Sequence, residues 1–185
     1  MIKEALTDAK DRMEKTVKTT QTELSRIRTG RASLSLLDTV RVDYYGTMSP
    51  LNQVANLSIP EPRLINIQPW DRSLLPAIEK AILQADIGIT PQNDGNFIRL
   101  PIPQLTEERR KELVKVVHQM AEDGKVAIRN VRRDVLESFK KAQKASEISE
   151  DEEYNAGIDI QKMTDEYVKK IDEVVKVKEK EIMEV

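Results

Sequence analysis

Three long stripes of apolar residues with helical spacing, interrupted by one proline-rich segment, limit the folds open to this chain. The first stripe consists of Ile2, Leu6, Ala9, Met13, Val17, Thr20, Leu24 and Ile27. The second and third consist of Leu113, Val117, Met120, Ile128, Val131 and Val135, and of Thr164, Val168, Ile171, Val175 and Ile182. Steps of three and four residues place each stripe on one face of an α-helix. Because such a face is unstable in water, the three helices are predicted to pack as a bundle.

Two glycines affect the end of the first helix and the interior of the second helix. Gly30 follows the first stripe, and it is expected to close the first helix in a left-handed conformation. Gly124 lies inside the second helix, where glycine costs about 1 kcal/mol relative to alanine. That weakness disappears if a neighbouring helix packs closely against the missing side chain, so the sequence leaves two alternatives for Gly124, a flexible point or a close contact.

Local signals also set the limits of the later helices. Thr106 is a candidate N-cap for the second helix, which should run to about Lys144. Ser149 and Glu152 have the spacing of a capping box, which predicts that a third long helix begins there. This last helix should extend nearly to Val185.

The segment between Arg31 and Gln104 contains all eight prolines, which break long helices. Four strands are predicted, at Val40 to Tyr44, Val54 to Ile59, Leu64 to Gln68 and Phe97 to Leu100. A short helix capped by Ser73 is expected between the third and fourth strands, and Asn93-Asp94-Gly95 indicates a turn. The predicted fold class is therefore α+β, an elongated three-helix bundle from residues 1–30 and 105–185 with a small β/α/β domain, residues 31–104, inserted in it.

The inserted domain leaves the bundle and returns to it through two short connections. They are expected at Gly30-Arg31 and at Gln104-Leu105, at the same end of the bundle. A pair of short linkers is a candidate hinge, so these four residues are predicted to allow the inserted domain to move.

Composition removes most enzyme classes from consideration. The chain has no cysteine and one histidine, His118, which excludes disulfides and thiolate chemistry and leaves little for imidazole catalysis. His118 is expected at the helix surface. The acidic run from Glu150 to Glu153 lacks the spacing of a calcium loop and fits the positive end of the last helix. We therefore expect no catalytic residue, no metal and no cofactor.

No run approaches the roughly 20 apolar residues of a membrane helix, and a cytoplasmic protein is expected.

Charge is distributed unevenly, although the net charge is only −2. Residues 105–145 carry 11 Lys and Arg against 7 Asp and Glu, and residues 146–185 carry 6 against 13. On a helical projection, one sector of the second long helix contains Lys111, Lys115, His118, Lys125, Arg129, Arg132 and Arg133. Charge alone favours a solvated face held by local ion pairs. Arginine favours the alternative, RNA docking, because a planar guanidinium binds phosphate oxygens bidentately.

Two further groups of residues are candidates for RNA contact. Arg26, Arg28 and Arg31 surround the end of the first helix, where cations also stabilise the helix dipole. Arg31 lies beyond the cap and is the better candidate of the three. Tyr44, Tyr45 and Trp70 could stack on nucleobases, although aromatic residues in strand patterns more often belong to the core.

Several segments in order along the whole chain resemble the bacterial ribosome recycling factor family. They are Ile27 to Ser33 (IRTGRAS), Tyr44-Tyr45-Gly46, Pro101 to Lys111 (PIPQLTEERRK) and Val126 to Asp134 (VAIRNVRRD). The resemblance implies a three-helix bundle with an inserted β/α/β domain, an L-shaped outline similar to tRNA and a mobile hinge. It implies that the bundle docks on large-subunit RNA of the 70S ribosome, and that elongation factor G with GTP acts beside it to split the subunits. By similarity, the expected RNA contacts are Arg110, Arg129 and Arg132, with support from Arg133, Arg28 and Arg31.

Two other function classes remain at this point. A coiled-coil adaptor would use the apolar stripes for self-association, whereas the intramolecular bundle should be a monomer. An acid–base enzyme in the inserted domain has no paired carboxylate motif to support it.

Overall fold

The computed structural model describes residues 1–184, which form two compact units. One unit contains residues 1–28 and 107–184, and the other contains residues 29–106. The first unit is helical, with α1 (Ile2–Ser25), α3 (Glu107–Lys144) and α4 (Glu150–Glu184). The second contains six short strands and the helix α2 (Leu75–Gln84). The α+β class, with long helices and a small β-containing unit, is as predicted.

The three long helices bury the predicted stripes against one another. Ala9, Met13 and Leu24 of α1, Val117 and Ile128 of α3, and Ile160, Ile171 and Ile182 of α4 are at most 2% exposed. Each of the three helices packs against both of the others. The hydrophobic effect therefore holds the unit together within one chain.

The first helix is shorter than predicted. It ends at Ser25 rather than just before Gly30, because the backbone tightens into i→i−3 hydrogen bonds from Arg26 N–H to Glu23 and from Ile27 N–H to Leu24. Gly30 does have a positive φ of 81°, but it lies in the connecting segment and does not cap the helix.

The other predicted ends of the long helices are confirmed. Helix α3 begins at Glu107, which leaves Thr106 in the N-cap position, and ends at Lys144. A capping box opens α4, since the Ser149 N–H donates to Glu152 Oε2 at 2.8 Å and the Glu152 N–H donates to Ser149 Oγ at 3.2 Å. The acidic residues 150–153 form the first turn of α4.

The second unit has two antiparallel sheets. Strands β1 (Arg41–Tyr44) and β2 (Thr47–Pro50) form a hairpin, and β3 (Ala55–Glu61), β4 (Leu64–Pro69), β5 (Gln92–Asn93) and β6 (Ile98–Pro101) pair in the order β3-β4-β6-β5. Buried residues of β4 and β6 face each other, with Ile65 opposite Leu100 and Ile67 opposite Ile98. Residues from α2 complete this core.

Several details of this unit differ from the prediction. Strands β2 and β5 were not predicted, because β5 has two residues and β2 has no buried residue. Ser73 does not cap α2. The Asp71 carboxylate instead accepts from the Ser73 N–H at 2.9 Å and caps a 3₁₀ turn, Arg72–Leu74, that leads into α2. The predicted turn at Asn93-Asp94-Gly95 is confirmed between β5 and β6.

Candidate nucleic-acid interface

The exposed side of α3 carries the two arginines that are most available for a ligand. Arg129 and Arg133 are exposed, and neither side chain forms an ion pair or side-chain hydrogen bond with another residue within 1–184. Asp134, a carboxylate on the same helix, binds Arg12 of α1 at 2.8 Å rather than either arginine. For these two arginines, the interpretation as a solvated face held by local ion pairs is wrong.

Arg132 lies about 60° from Arg129 around the helix, on the side that faces α4. It is half-buried, and its Nη1 donates to Gln161 Oε1 at 2.8 Å. Gln161 in turn donates through Nε2 to Asp165 Oδ1 at 2.9 Å. Contact with α4 therefore restricts the guanidinium before any ligand binds. Binding of a phosphate then costs less side-chain entropy.

Arg110 has a structural contact of its own. Its Nη1 donates to the Met183 carbonyl at 3.3 Å, in the last turn of α4. A cation at this position stabilises the negative end of the helix dipole. The Nε atoms of Arg110 and Arg132 are buried without a hydrogen-bond partner among the described residues. Both arginines thus anchor their stems at the α3–α4 boundary.

Two other members of the predicted basic sector also bind α4. Lys125 Nζ lies 2.6 Å from Asp172 Oδ1, and His118 Nε2 contacts the Glu179 carboxylate. Contacts with carboxylates of α4 therefore account for Lys125 and His118, and these partners come from another helix rather than from the same one. His118 is exposed at the helix surface, as predicted.

Exposed lysines extend the arginine surface along the same side of α3. Lys111, Lys115 and Lys140 are exposed and lie within about 40° of Arg129 in projection. We call Lys111, Lys115, Arg129, Arg133 and Lys140 the basic stripe. Glu122 on the same side pairs with Lys125 at 3.7 Å. The stripe is thus strongest towards the carboxyl half of α3.

The arginines near the end of α1 flank the boundary between the two units. Arg26 is the C-cap residue of α1, and Arg28 and Arg31 are exposed in the segment that follows. Because α1 ends at Ser25, Arg28 lies beyond the last turn, and capping of the helix dipole does not explain it. The structure places both residues at the surface, and their RNA contacts remain a prediction.

Tyr44, Tyr45 and Trp70 are exposed, so the expectation that they belong to the core is wrong. Tyr45 and Trp70 are 79% and 65% exposed, and Tyr44 is 41% exposed. The two tyrosine rings pack edge to face with centroids 4.7 Å apart, and Trp70 Nε1 donates to Asn56 Oδ1 at 3.1 Å. Tyr45 has a φ of 50° and Gly46 a φ of 86°, so the pair forms the tight turn of the β1–β2 hairpin.

Other kinds of site are not found in the part of the chain that the structure describes. Residues 1–184 contain no group of three or more His, Asp or Glu side chains that could hold a metal ion. None of the helices within residues 1–184 combines the length and the hydropathy that a transmembrane span requires.

A sequence model of the ribosome recycling factor family matches residues 20–183. The chain belongs to the ribosome recycling factor family. The ribosome-recycling factor of Bacillus subtilis strain 168 is 57% identical over 185 residues, and the alignment covers all of both chains. The corresponding protein of Desulforamulus reducens is 56% identical, again over all of both chains.

Solved structures of ribosome recycling factors share the fold. A solution structure of a ribosome recycling factor, 41% identical, matches with a TM-score of 0.73 and covers 100% of this chain and 98% of that chain. The T. thermophilus ribosome recycling factor, described together with E. coli elongation factor G bound to the E. coli post-termination complex, is 45% identical. It matches with a TM-score of 0.62 over 99% of each chain. The resemblance inferred from short motifs is thus confirmed, and translation and ribosome binding are the functional context of the chain.

Proposed function

We propose that this member of the ribosome recycling factor family splits the post-termination ribosome into subunits, together with elongation factor G and GTP. The messenger RNA and tRNA are released for another round of translation. The T. thermophilus relative, described with elongation factor G on a post-termination complex, supports this proposal because the alignment with it covers 99% of each chain.

The observation that carries the docking part of the proposal is the exposed, unpaired state of Arg129 and Arg133 beside the immobilised Arg132. Exposed guanidinium groups bind phosphate oxygens and release the counterions condensed on RNA. The helical unit therefore docks on large-subunit ribosomal RNA through these three arginines. Arg110, Arg28 and Arg31 supply further contacts with the RNA.

The second part of the proposal concerns movement. Two chain segments join the units, and the boundaries fall at residues 28/29 and 106/107. Gly30, Arg31, Gln104 and Leu105 lie within three residues of these boundaries and act as the hinge. The second unit swings about them and transmits the displacement produced by elongation factor G.

The protein itself forms or breaks no covalent bond, needs no cofactor, and acts as a cytoplasmic monomer.

Light scattering of purified 70S ribosomes tests the proposal directly. Splitting lowers the scattering, and the drop should require this protein, elongation factor G and GTP together. Omission of any one component is the control. A chain that leaves the scattering unchanged in the complete mixture does not have the proposed function.

The coiled-coil adaptor is the second candidate, and the packing argues against it. It needs the apolar stripes for self-association, but those stripes are buried between α1, α3 and α4 of one chain. Sedimentation equilibrium separates the two candidates, because a concentration-dependent dimer or larger oligomer would support the adaptor.

A further inference from the structure

A groove runs between the carboxyl half of α3 and the amino half of α4, within the helical unit. Its volume is about 880 Å³, within the roughly 300–1,000 Å³ typical of small-molecule sites. Its apolar part consists of Leu136, Tyr154, Gly157 and Ile158. Tyr154 and Ile158 are 71% and 51% exposed, so two large apolar side chains border an open space.

Gly157 keeps this groove open without being required by the packing of the helices. A Cβ at Gly157 would meet only Leu136 Cδ2, at 3.8 Å, which is an ordinary contact. At Gly124, by contrast, a Cβ would lie 2.7 Å from Thr20 Oγ1. Alanine is the better helix former at both positions. Helix packing therefore explains why residue 124 is a glycine, but it does not explain Gly157. A side chain at position 157 would occupy the floor of the groove.

The groove continues the proposed RNA surface. Lys140 belongs to the basic stripe and also lines the groove. At the other end, Gln161 and Asp165 line the groove, and Gln161 accepts the hydrogen bond from Arg132. A strand of RNA that follows Arg129 and Arg133 along α3 thus reaches the groove at Lys140.

The polar lining has two chemical parts. Lys140 and Lys162 supply positive charge for a phosphate, and the carboxylates of Glu150, Glu153 and Asp165 can only accept hydrogen bonds at neutral pH. Carboxylates repel a phosphate but bind the amino and imino hydrogens of a base edge. Uracil offers one such donor, whereas guanine offers an adjacent imino and amino pair that matches one carboxylate.

We propose that this groove binds a single unstacked guanine nucleotide of ribosomal RNA. The base lies over the floor at Gly157 and stacks on Tyr154, its Watson–Crick edge donates to a groove carboxylate, and Lys140 holds its phosphate. Stacking on an aromatic side chain combined with hydrogen bonds to an exposed base edge is how proteins read single-stranded RNA. This inference rests on the proposed function, because it extends the same RNA surface.

Titration of the labelled protein with two short RNAs, observed by NMR, tests the inference. The probes are 5′-UUGU-3′ and 5′-UUUU-3′, which have equal charge and length. UUGU should shift the Gly157 amide and the Tyr154 ring and bind at least about fivefold more tightly than UUUU, the low end for one base contact. Equal affinities, or shifts confined to Arg129 and Arg133, would overturn the proposal.

Variants of the groove separate binding from folding. Gly157→Leu fills the floor and should weaken UUGU at least about fivefold and abolish its preference over UUUU. Tyr154→Ala removes an exposed side chain and should have the same effect on binding with an unchanged Tm. This variant therefore still tests the groove if Gly157→Leu fails to fold. Gly157→Ala is the stability control and should raise the Tm by about 2–4 °C. Retention of the guanine preference in both binding variants contradicts the inference.

Ribosome pelleting distinguishes this inference from the docking proposal. Tyr154→Ala should lower ribosome affinity with the salt slope unchanged, because it removes a stacking contact, which releases no counterion, and leaves Lys140 in place. Arg133→Ala should weaken UUGU and UUUU equally and reduce the salt slope. Groove variants with wild-type ribosome affinity refute the groove site alone, and an Arg133→Ala variant with wild-type affinity and slope refutes the docking surface alone. Capture of a helical peptide of elongation factor G in the groove, in place of RNA, would also overturn the nucleotide assignment.

Discussion

Gly124 lies where α3 packs against both α1 and α4. A Cβ there would stand 2.7 Å from Thr20 Oγ1 and 2.9 Å from Ile171 Cδ1, both far closer than van der Waals contact. Of the two alternatives that the sequence left open, the close contact is therefore correct. The missing side chain brings the three helices together.

We expect Gly124→Ala to lower the free energy of unfolding by about 1–3 kcal/mol, because overpacking outweighs the gain of about 1 kcal/mol in helix propensity. Urea denaturation measures the change. Thr20→Ala in the same chain removes the nearest clashing atom and should restore part of the loss. An alanine variant more stable than the wild type would show that the helices can separate at no cost.

Tyr167 is a buried residue whose ionisation affects the free energy of unfolding. Its hydroxyl donates to Glu14 Oε1 at 2.9 Å, and burial, with the Glu14 hydrogen bond and charge, raises the pKa of Tyr167 to about 12 from an ordinary value of 10.0. Because the folded state favours the neutral phenol, this stabilisation is complete below pH 10 and disappears as the pH rises through 12.

Tyr167→Phe keeps the ring and removes the hydrogen bond, so it should cost about 1 kcal/mol at pH 7. The difference in unfolding free energy between wild type and variant should shrink from pH 10 to pH 12. Denaturation at a series of pH values measures it, and the comparison cancels the lysines, which titrate in both proteins. A difference that stays constant to pH 12 would contradict the assigned pKa shift.

Alanine variants of Arg132 and Arg133 test the proposed RNA-docking surface. Arg132→Ala and Arg133→Ala should each weaken ribosome binding and reduce the slope of log affinity against log salt by about 1. Lys15→Ala, which removes an exposed positive charge on α1, is the matched control and should leave both quantities unchanged. Ribosome pelleting at several salt concentrations measures affinity and slope. Equal behaviour of Arg133→Ala and the control would exclude Arg133 from the interface.

At the scale of elements, the start of α4 is stabilised locally. Ser149 and Glu152 exchange two hydrogen bonds, and the bond from the Ser149 N–H, followed by the Ser149 hydroxyl, keeps the pKa of Glu152 below its ordinary value. This contribution is present above the ordinary pKa of Glu152 and is lost as the pH falls through its lowered value.

Ser149→Ala should destabilise the protein by about 1 kcal/mol, since it leaves an N–H of the first turn without its acceptor. Ser149→Asp retains a capping oxygen and serves as the control. Hydrogen exchange of the first-turn amides of α4 reports the local effect, and urea denaturation reports the global one. If the alanine variant protects these amides as well as the aspartate variant does, the capping box has no energetic role.

At the scale of the whole molecule, the proposed hinge is the feature that most needs a test. The chain has no native cysteine, so one cysteine introduced into each unit can form a disulfide without competition. The oxidised protein should bind ribosomes normally and fail to split them with elongation factor G and GTP. Addition of a reductant should restore splitting in the same sample, which is the internal control. Full activity of the oxidised protein would reject movement of the second unit as part of the mechanism.

Features that depend on near neighbours along the chain could be predicted from the order of the amino acids. The period of the apolar stripes predicted three long helices, Ser149 and Glu152 predicted the start of α4, and eight prolines predicted a unit with few helices. These predictions succeed because capping, helix periodicity and proline geometry act within one or two turns. The end of α1 was missed because its last turn tightens through i→i−3 bonds that no residue type in that segment specifies.

The availability of charged and aromatic residues at the surface depends instead on contacts between residues that are distant in the sequence. Arg132 binds Gln161, 29 residues away, and Tyr167 binds Glu14, 153 residues away. Arg129 and Arg133 have no such partner within the described residues, although they have the same residue type and helix as Arg132. Partners this distant are set by the packing of α4 on α3, so spacing along one helix does not reveal them. For the same reason, the close contact at Gly124 and the open groove at Gly157 could be told apart only in the folded chain.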